Sequence, residues 1–276
     1  MVNHSELDPV FELEFLGGPV ERRFRAKRPQ TEKLPWGTLN LADYDEQQLV
    51  AGRRGWTDMA LQEYSAASVQ LLVIQRIIRV CAPLDLSALA AGFPFEELVH
   101  TELCARMAAE LGGTTGVTYS RDQLLATHLQ ATEQTGGTLL DTALLVGREF
   151  CIAETVTLGQ LRFRLHSTTE PLVRAVWRQL VKDEAGHARF GWLFMDWAMP
   201  QLAISERDSV FRSLRSWLHA TAQTDALVAQ QRLAAFSPVG IFGGSGRQAY
   251  LTNGRRVRAQ VAKKIDGLSS YFAATP

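Results

Sequence analysis

Residues 182–190 read KDEAGHARF, and their place in the chain decides how the fold is read. They lie inside a segment whose apolar residues recur with helical spacing. Val173, Trp177, Leu180, Glu184, His187, Gly191, Phe194 and Ala198 fall on one stripe of a helix. Glu184 and His187 interrupt that stripe at positions i and i+3, so their side chains lie one above the other. An unpaired carboxylate on a buried face costs several kcal/mol or shifts its pKa until it is neutral. The stripe therefore demands a compensating partner for Glu184.

Working outward, the same pattern recurs three times. A helix expected over 85–111 contains Glu97-x-x-His100 on a stripe that continues through Cys104, Ala108 and Leu111. A helix expected over 55–80 carries Glu63 among Met59, Ala60, Ala66, Ala67, Gln70 and Ile74. A third, over 138–165, carries Glu154 among Ala143, Gly147, Cys151, Leu158 and Leu161. The fourth runs from about Thr169 to Ala198. In order, the helices offer Glu, Glu-x-x-His, Glu and Glu-x-x-His. Glu149 also lies on the third helix. Five α-helical residues turn through about 140°, so Glu149 and Glu154 cannot both face one site; the apolar stripe selects Glu154.

Charge and ligand chemistry explain this inventory. Four glutamates neutralise two divalent ions, which removes the burial problem of Glu184. Carboxylates can bridge two metals, and one histidine per metal leaves coordination positions open. Ligation rich in carboxylate and poor in cysteine favours iron or manganese over structural zinc. Each Glu-x-x-His is preceded by a second acid, Glu96 and Asp183. By this reading Asp183 holds the far ring nitrogen of His100 and Glu96 that of His187, fixing tautomer and basicity.

With these residues in place, the chain resembles the ferritin-like di-iron carboxylate superfamily over about residues 55–200. The resemblance implies an all-α, ferritin-like four-helix bundle whose metal ligands are Glu63, Glu97, His100, Glu154, Glu184 and His187. The pattern along the chain divides it into an N-terminal arm (1–42), the expected di-iron bundle (43–200) and a C-terminal helical extension (201–276). The segment 112–137, with a short capped helix from Ser120-x-x-Gln123, would be the long crossover between two helical hairpins. The arm, with FELEF and VERRFRAKR around a Gly-Gly-Pro, is expected to be extended or a hairpin. A fifth helix is expected over 205–236 and a last, basic one after GIFGGSGR at 240–247, a stretch expected to be a linker.

The resemblance points to the oxygen-activating branch. Rubrerythrin-like members usually add a CxxC iron module, and the three cysteines here (Cys81, Cys104, Cys151) form none. Radical-generating reductase subunits place Tyr one turn after the second-helix His; this chain has Cys104 there, as multicomponent monooxygenases do. The Glu intervals are similar to those of arylamine N-oxygenases, whose additional His is replaced here by Leu180. The expected cofactor is two Fe ions, or a Mn/Fe pair, with O2 as co-substrate. The expected activity is hydroxylation or another oxidation of a small organic substrate. The alternatives are an iron-handling protein (ferroxidase or storage) without an organic substrate, and a scaffold that keeps the bundle without turnover. Cys104 and Thr157, the latter three residues after Glu154, are the candidate catalytic residues, Thr157 as a proton relay.

Composition limits the partners. Lys+Arg and Asp+Glu number 29 each, so no global field recruits nucleic acid or an anionic membrane. The N-terminus, MVNHSELDPV, is polar and unlike a signal peptide. The densest apolar run, LLVI at 71–74, is too short to span a bilayer. A cytoplasmic protein is expected. Its expected partners are a small-molecule substrate, an external reductase or reductant, and a second copy in a homodimer. Arg255, Arg256, Arg258, Lys263 and Lys264 form a basic face, solvated or docking an acidic carrier protein or reductase. His128 and His166 lack a Glu partner and are expected at the surface.

Overall fold

The computed structural model describes residues 13–113, 137–231, 241 and 246–274, and among these it is helical with no strand. The expected crossover helix, its Ser120–Gln123 cap and His128 lie outside the described residues, as do residues 1–12.

Two short helices come first, α1 (Gly18–Ala26) and α2 (Pro29–Glu32). They correct the expected hairpin. Gly17 and Gly18 turn the chain at φ 79° and 57°, and Pro19 stands in the first turn of α1, where its missing N–H is no loss. Glu21 and Arg25 then pair at i and i+4, 2.7 Å apart, a helical spacing that a strand cannot use. Arg28, 1% exposed, reaches Glu102 of the helix that carries His100 at 2.5 Å and pins the arm to the body.

Helix α3 (Glu46–Arg79) opens on a reciprocal cap between Asp45 and Gln48 and runs unbroken past the expected start at Gly55. Helix α4 (Leu84–Glu110) continues through Pro94. The third rod begins on a Thr138–Asp141 capping box. It comprises α5 (Leu139–Val146), a π-helical segment (Gly147–Glu154) and α6 (Thr155–Ser167). Helix α7 (Pro171–Ala198) is capped by Glu170, whose carboxylate accepts from Val173 N–H at 2.6 Å. The extension holds α8 (Ile204–Gln231) and α9 (Arg247–Ala274).

Packing places the conspicuous residues. α3 lies along α4, and α7 packs against α4, the π segment and α6. α9 packs on α8 and α6. Two apolar clusters result. One gathers Trp56, Leu103, Met107, Trp177 and Leu180; the other gathers Val73, Phe93, Phe150, Phe190 and Phe194. On α3, α4 and α7 the chain passes from one cluster to the other across Glu63 and Gln70, Glu97 and His100, and Glu184 and His187. The polar residues thus form a layer between two dry ones, which is why they interrupt every stripe.

The segment expected to be a linker contains an anchor. Ile241 is 2% exposed, lies over Gly52 and Leu111, and accepts the Trp56 indole N–H at 2.9 Å. Among the described residues no helix is long and apolar enough to cross a membrane.

Candidate metal centre

Six side chains meet in the polar layer as two overlapping groups. Glu63, Glu97, His100 and Glu184 each offer one ligand atom, all within 4.8 Å of one another, and Glu97, Glu154, Glu184 and His187 do the same. Glu97 and Glu184 belong to both groups. Each lies three residues before a histidine, so one helical turn supplies a shared carboxylate and a terminal imidazole.

Both imidazoles point Nδ1 inward. His100 Nδ1 lies 3.3 Å from Glu184, 3.6 Å from Glu63 and 3.6 Å from Glu97. His187 Nδ1 lies 3.2 Å from Glu97 and 3.2 Å from Glu184. The outward nitrogens meet acids: His100 Nε2 is 3.3 Å from Asp183, and His187 Nε2 is 2.9 Å from Glu96. Asp183 is itself held by the Gln179 amide at 2.8 Å. Phe93 covers His187, with ring centroids 4.4 Å apart.

These groups fit a dinuclear metal site by an internal test. Buried polar atoms normally find hydrogen-bond partners. Here His100 Nδ1, His187 Nδ1, Glu97 Oε2 and Glu184 Oε2 are buried without one, and all four belong to the two ligand groups. Hard carboxylate oxygens with borderline imidazoles suit a divalent metal ion.

Without metal the cluster is an ionic mosaic. Burial and the neighbouring Glu184 and Glu97 carboxylates hold Glu154 well above the usual carboxylate range. Burial does the same to Glu63. Burial also opposes charge on Glu184 and Glu97, but His100 and His187 outweigh it and hold both below that range. For the histidines burial is overcome by their acids. His187 is pushed up to about 12 by Glu184, Glu96 and Glu97; His100 is raised well above its ordinary value by Asp183, Glu184, Glu63 and Glu97.

Gln70 belongs to this layer and was not singled out from the sequence. It is 2% exposed. Its amide donates to Glu97 and, at 3.1 Å, to Glu154. The visible signal was an amide on an otherwise apolar α3 stripe, two turns beyond Glu63.

A cavity of about 290 Å³ opens beside the cluster. Its walls include Met59, Ala66, Val69 and Thr157, and the ligands Glu63, Glu97, Glu154 and Glu184 line it too. Glu149 lines the same cavity, which corrects the expectation that Glu149 and Glu154 face apart. That expectation assumed α-helical phase, and a π-helix, bonded i to i+5, brings residues five apart onto nearly one face. Glu149 is not in either ligand group and pairs with Arg148 at 2.6 Å.

Of the two candidate catalytic residues, Thr157 is on the cavity wall. Cys104 is fully buried in the apolar cluster of Trp56 and Met107, and burial pushes its thiol well up. His166 is exposed. Comparison with family models, curated proteins and solved structures finds no match, so what this centre does is argued from its geometry.

Proposed function

We propose that the chain is a ferritin-like di-iron carboxylate protein, built on a four-helix bundle of α3, α4, the α5–α6 rod and α7, that uses O2 to oxidise a small organic substrate. The observation that carries this reading is the pair of ligand groups sharing Glu97 and Glu184 beside a cavity large enough for a small molecule. In this reading Glu63, Glu97, His100, Glu154, Glu184 and His187 would hold the metal pair, and a Mn/Fe pair would satisfy the same donors.

The metal pair, when bound, supplies the redox chemistry that O2 needs to react with an organic molecule. The protein's own residues do the rest. Asp183 and Glu96 accept hydrogen bonds from the Nε2–H groups and so present Nδ1 of each histidine inward as a lone pair. Gln70 ties Glu97 to Glu154. Thr157 offers a hydroxyl on the cavity wall that can hold or pass a proton. Phe93, Trp56 and Trp177 belong to the apolar layers that keep bulk water off the ligands. Met59, Ala66 and Val69 give the cavity an apolar wall for a carbon skeleton.

One observation favours the iron-handling alternative: Glu149 adds a carboxylate to the cavity lining, as an approach path for Fe(II) would have. The two readings separate in one experiment. The iron-loaded, reduced protein is exposed to 18O2 with a metabolite extract and the products are analysed by mass. A product that gains 18O, and that Glu97→Gln abolishes, supports the oxygenase. Continued oxidation of excess Fe(II) into a mineral, with no labelled product, supports iron handling.

A further inference from the structure

On the far side of the rod from the substrate cavity lies a second cleft, of about 340 Å³, between α6, α7 and α9. Arg162, Arg256 and Lys264 converge on it, and Trp192 lines it. The chain as a whole is neutral, yet α9 carries Arg247, Arg255, Arg256, Arg258, Lys263 and Lys264 against the single acid Asp266. Asp266 is taken by Arg215 of α8 at 3.0 Å. Arg162 has no carboxylate partner among the described residues. Among the described residues Arg256 meets the Asn253 side-chain oxygen, at 3.3 Å. Burial holds the Lys264 ammonium below its ordinary pKa, against Cys151 and Asp196 of α7, which favour its charge.

The aromatic side of the cleft connects inward. Lys264 Nζ stands 4.3 Å from the centre of the Trp192 ring, a cation–π contact. The Trp192 indole N–H donates to Thr155 Oγ1 at 3.3 Å, and Thr155 donates on to the Phe150 carbonyl at 3.3 Å. Thr155 is the residue next to the ligand Glu154. Gly159 lets α9 approach α6 at the cleft, since a Cβ there would meet Val257 of α9 at 2.5 Å.

Resting on the di-iron reading, we propose that this cleft docks the acidic surface of a one-electron donor protein, and that Trp192 and Thr155 link the docked donor to the Glu154 side of the centre. Three features select this occupant. The basic residues extend beyond the cleft to exposed Arg255 and Lys263, more surface than a single small anion covers. The cleft uses Thr155 and Leu158 while the cavity uses Ala153, Glu154 and Thr157, so a bound donor leaves the substrate entrance clear. No redox group is encoded in the chain as a CxxC module, so electrons come from outside. A hydroxylation that puts one atom of O2 into the substrate and the other into water consumes two electrons and two protons. Two successive encounters, each oxidising the donor by one electron, supply the electrons, and solvent supplies the protons.

The test uses the full chain and a small acidic [2Fe–2S] ferredoxin as probe. Ferredoxin should bind the metal-free chain at low salt, and the Arg162→Glu/Arg256→Glu/Lys264→Glu variant, folded by its unchanged melting temperature, should bind about tenfold or more weakly. On the iron-loaded chain at saturating ferredoxin, Trp192→Phe should slow reduction by ferredoxin about tenfold, with reduction by dithionite unaltered. Absent binding, affinity indifferent to charge reversal, or inorganic phosphate binding the cleft more tightly than ferredoxin overturns the docking assignment. Unchanged ferredoxin reduction of Trp192→Phe overturns the link. Because the binding arm needs no metal, a chain that holds no iron defeats the di-iron reading while docking is still read.

Discussion

Glu96 Oε2 lies 2.9 Å from His187 Nε2, reaching from α4 to a histidine on α7, and Asp183 of α7 reaches back to His100 of α4 at 3.3 Å. The two helices thus exchange acids. Glu96→Gln and Asp183→Asn should each weaken binding of the metal next to the affected histidine by about 10–100-fold. Competition with a chromophoric chelator measures this, and an unchanged affinity in both variants contradicts the orienting role.

Proton linkage gives a second prediction. The pKa directions favour the protonated forms of His100, His187, Glu63 and Glu154 in the metal-free fold. The histidines are raised above their unfolded values. Their contribution to stability is therefore complete below about pH 6.5 and is lost as pH rises toward their folded pKa values. Glu63 and Glu154, also raised, act in the same direction from about pH 4.5 upward. The metal-free protein should melt at lower temperature at pH 8.5 than at pH 6.5. Loading divalent ions should release protons from these groups. A pH-stat titration with Mn(II) reads the release, and none at all contradicts the mosaic.

Gln70 yields a third. Its amide holds Glu97 and Glu154 together without charge, so Gln70→Leu should leave the fold intact while loosening the site. Glu154 then loses a donor, and the Co(II)-substituted protein should show an altered visible absorption spectrum. An identical spectrum and affinity would assign Gln70 to packing alone.

The fourth concerns close approach. A Cβ at Gly191 would stand 2.7 Å from the Cys151 backbone nitrogen and 2.8 Å from the Phe150 carbonyl carbon. Backbone cannot swing aside as a side chain can. Gly191→Ala should destabilise by about 1–3 kcal/mol and displace the π segment that carries Glu154. Thermal melting and metal affinity should fall together; Gly186→Ala, open on the surface, should change neither.

How much of this was legible in the sequence follows from what each reading used. The long helices of the centre were readable because apolar spacing and caps such as Pro171 and Thr138 are local signals. Glu63, Glu97, His100, Glu154, Glu184 and His187 could be gathered because each breaks an apolar stripe. The phase of Glu149 was misread because a π turn depends on tertiary packing: Gly191 lets α7 approach there, and Thr155 takes up the Phe150 carbonyl. The arm was misread because weak alternation was weighed above Pro19 and the Glu21–Arg25 spacing. Ile241 and the Trp192 cleft are contacts between distant segments, which no local pattern encodes.

The central claim is that two iron-type ions occupy the layer between Trp177 and Phe194 through the shared Glu97 and Glu184. The most direct measurement is metal content with Mössbauer spectroscopy on protein purified from cells grown with 57Fe. The account predicts about two irons per chain, coupled as one pair, with Glu97→Gln and Glu184→Gln each losing both. One uncoupled iron per chain, or stoichiometric zinc that added iron does not displace, would contradict it.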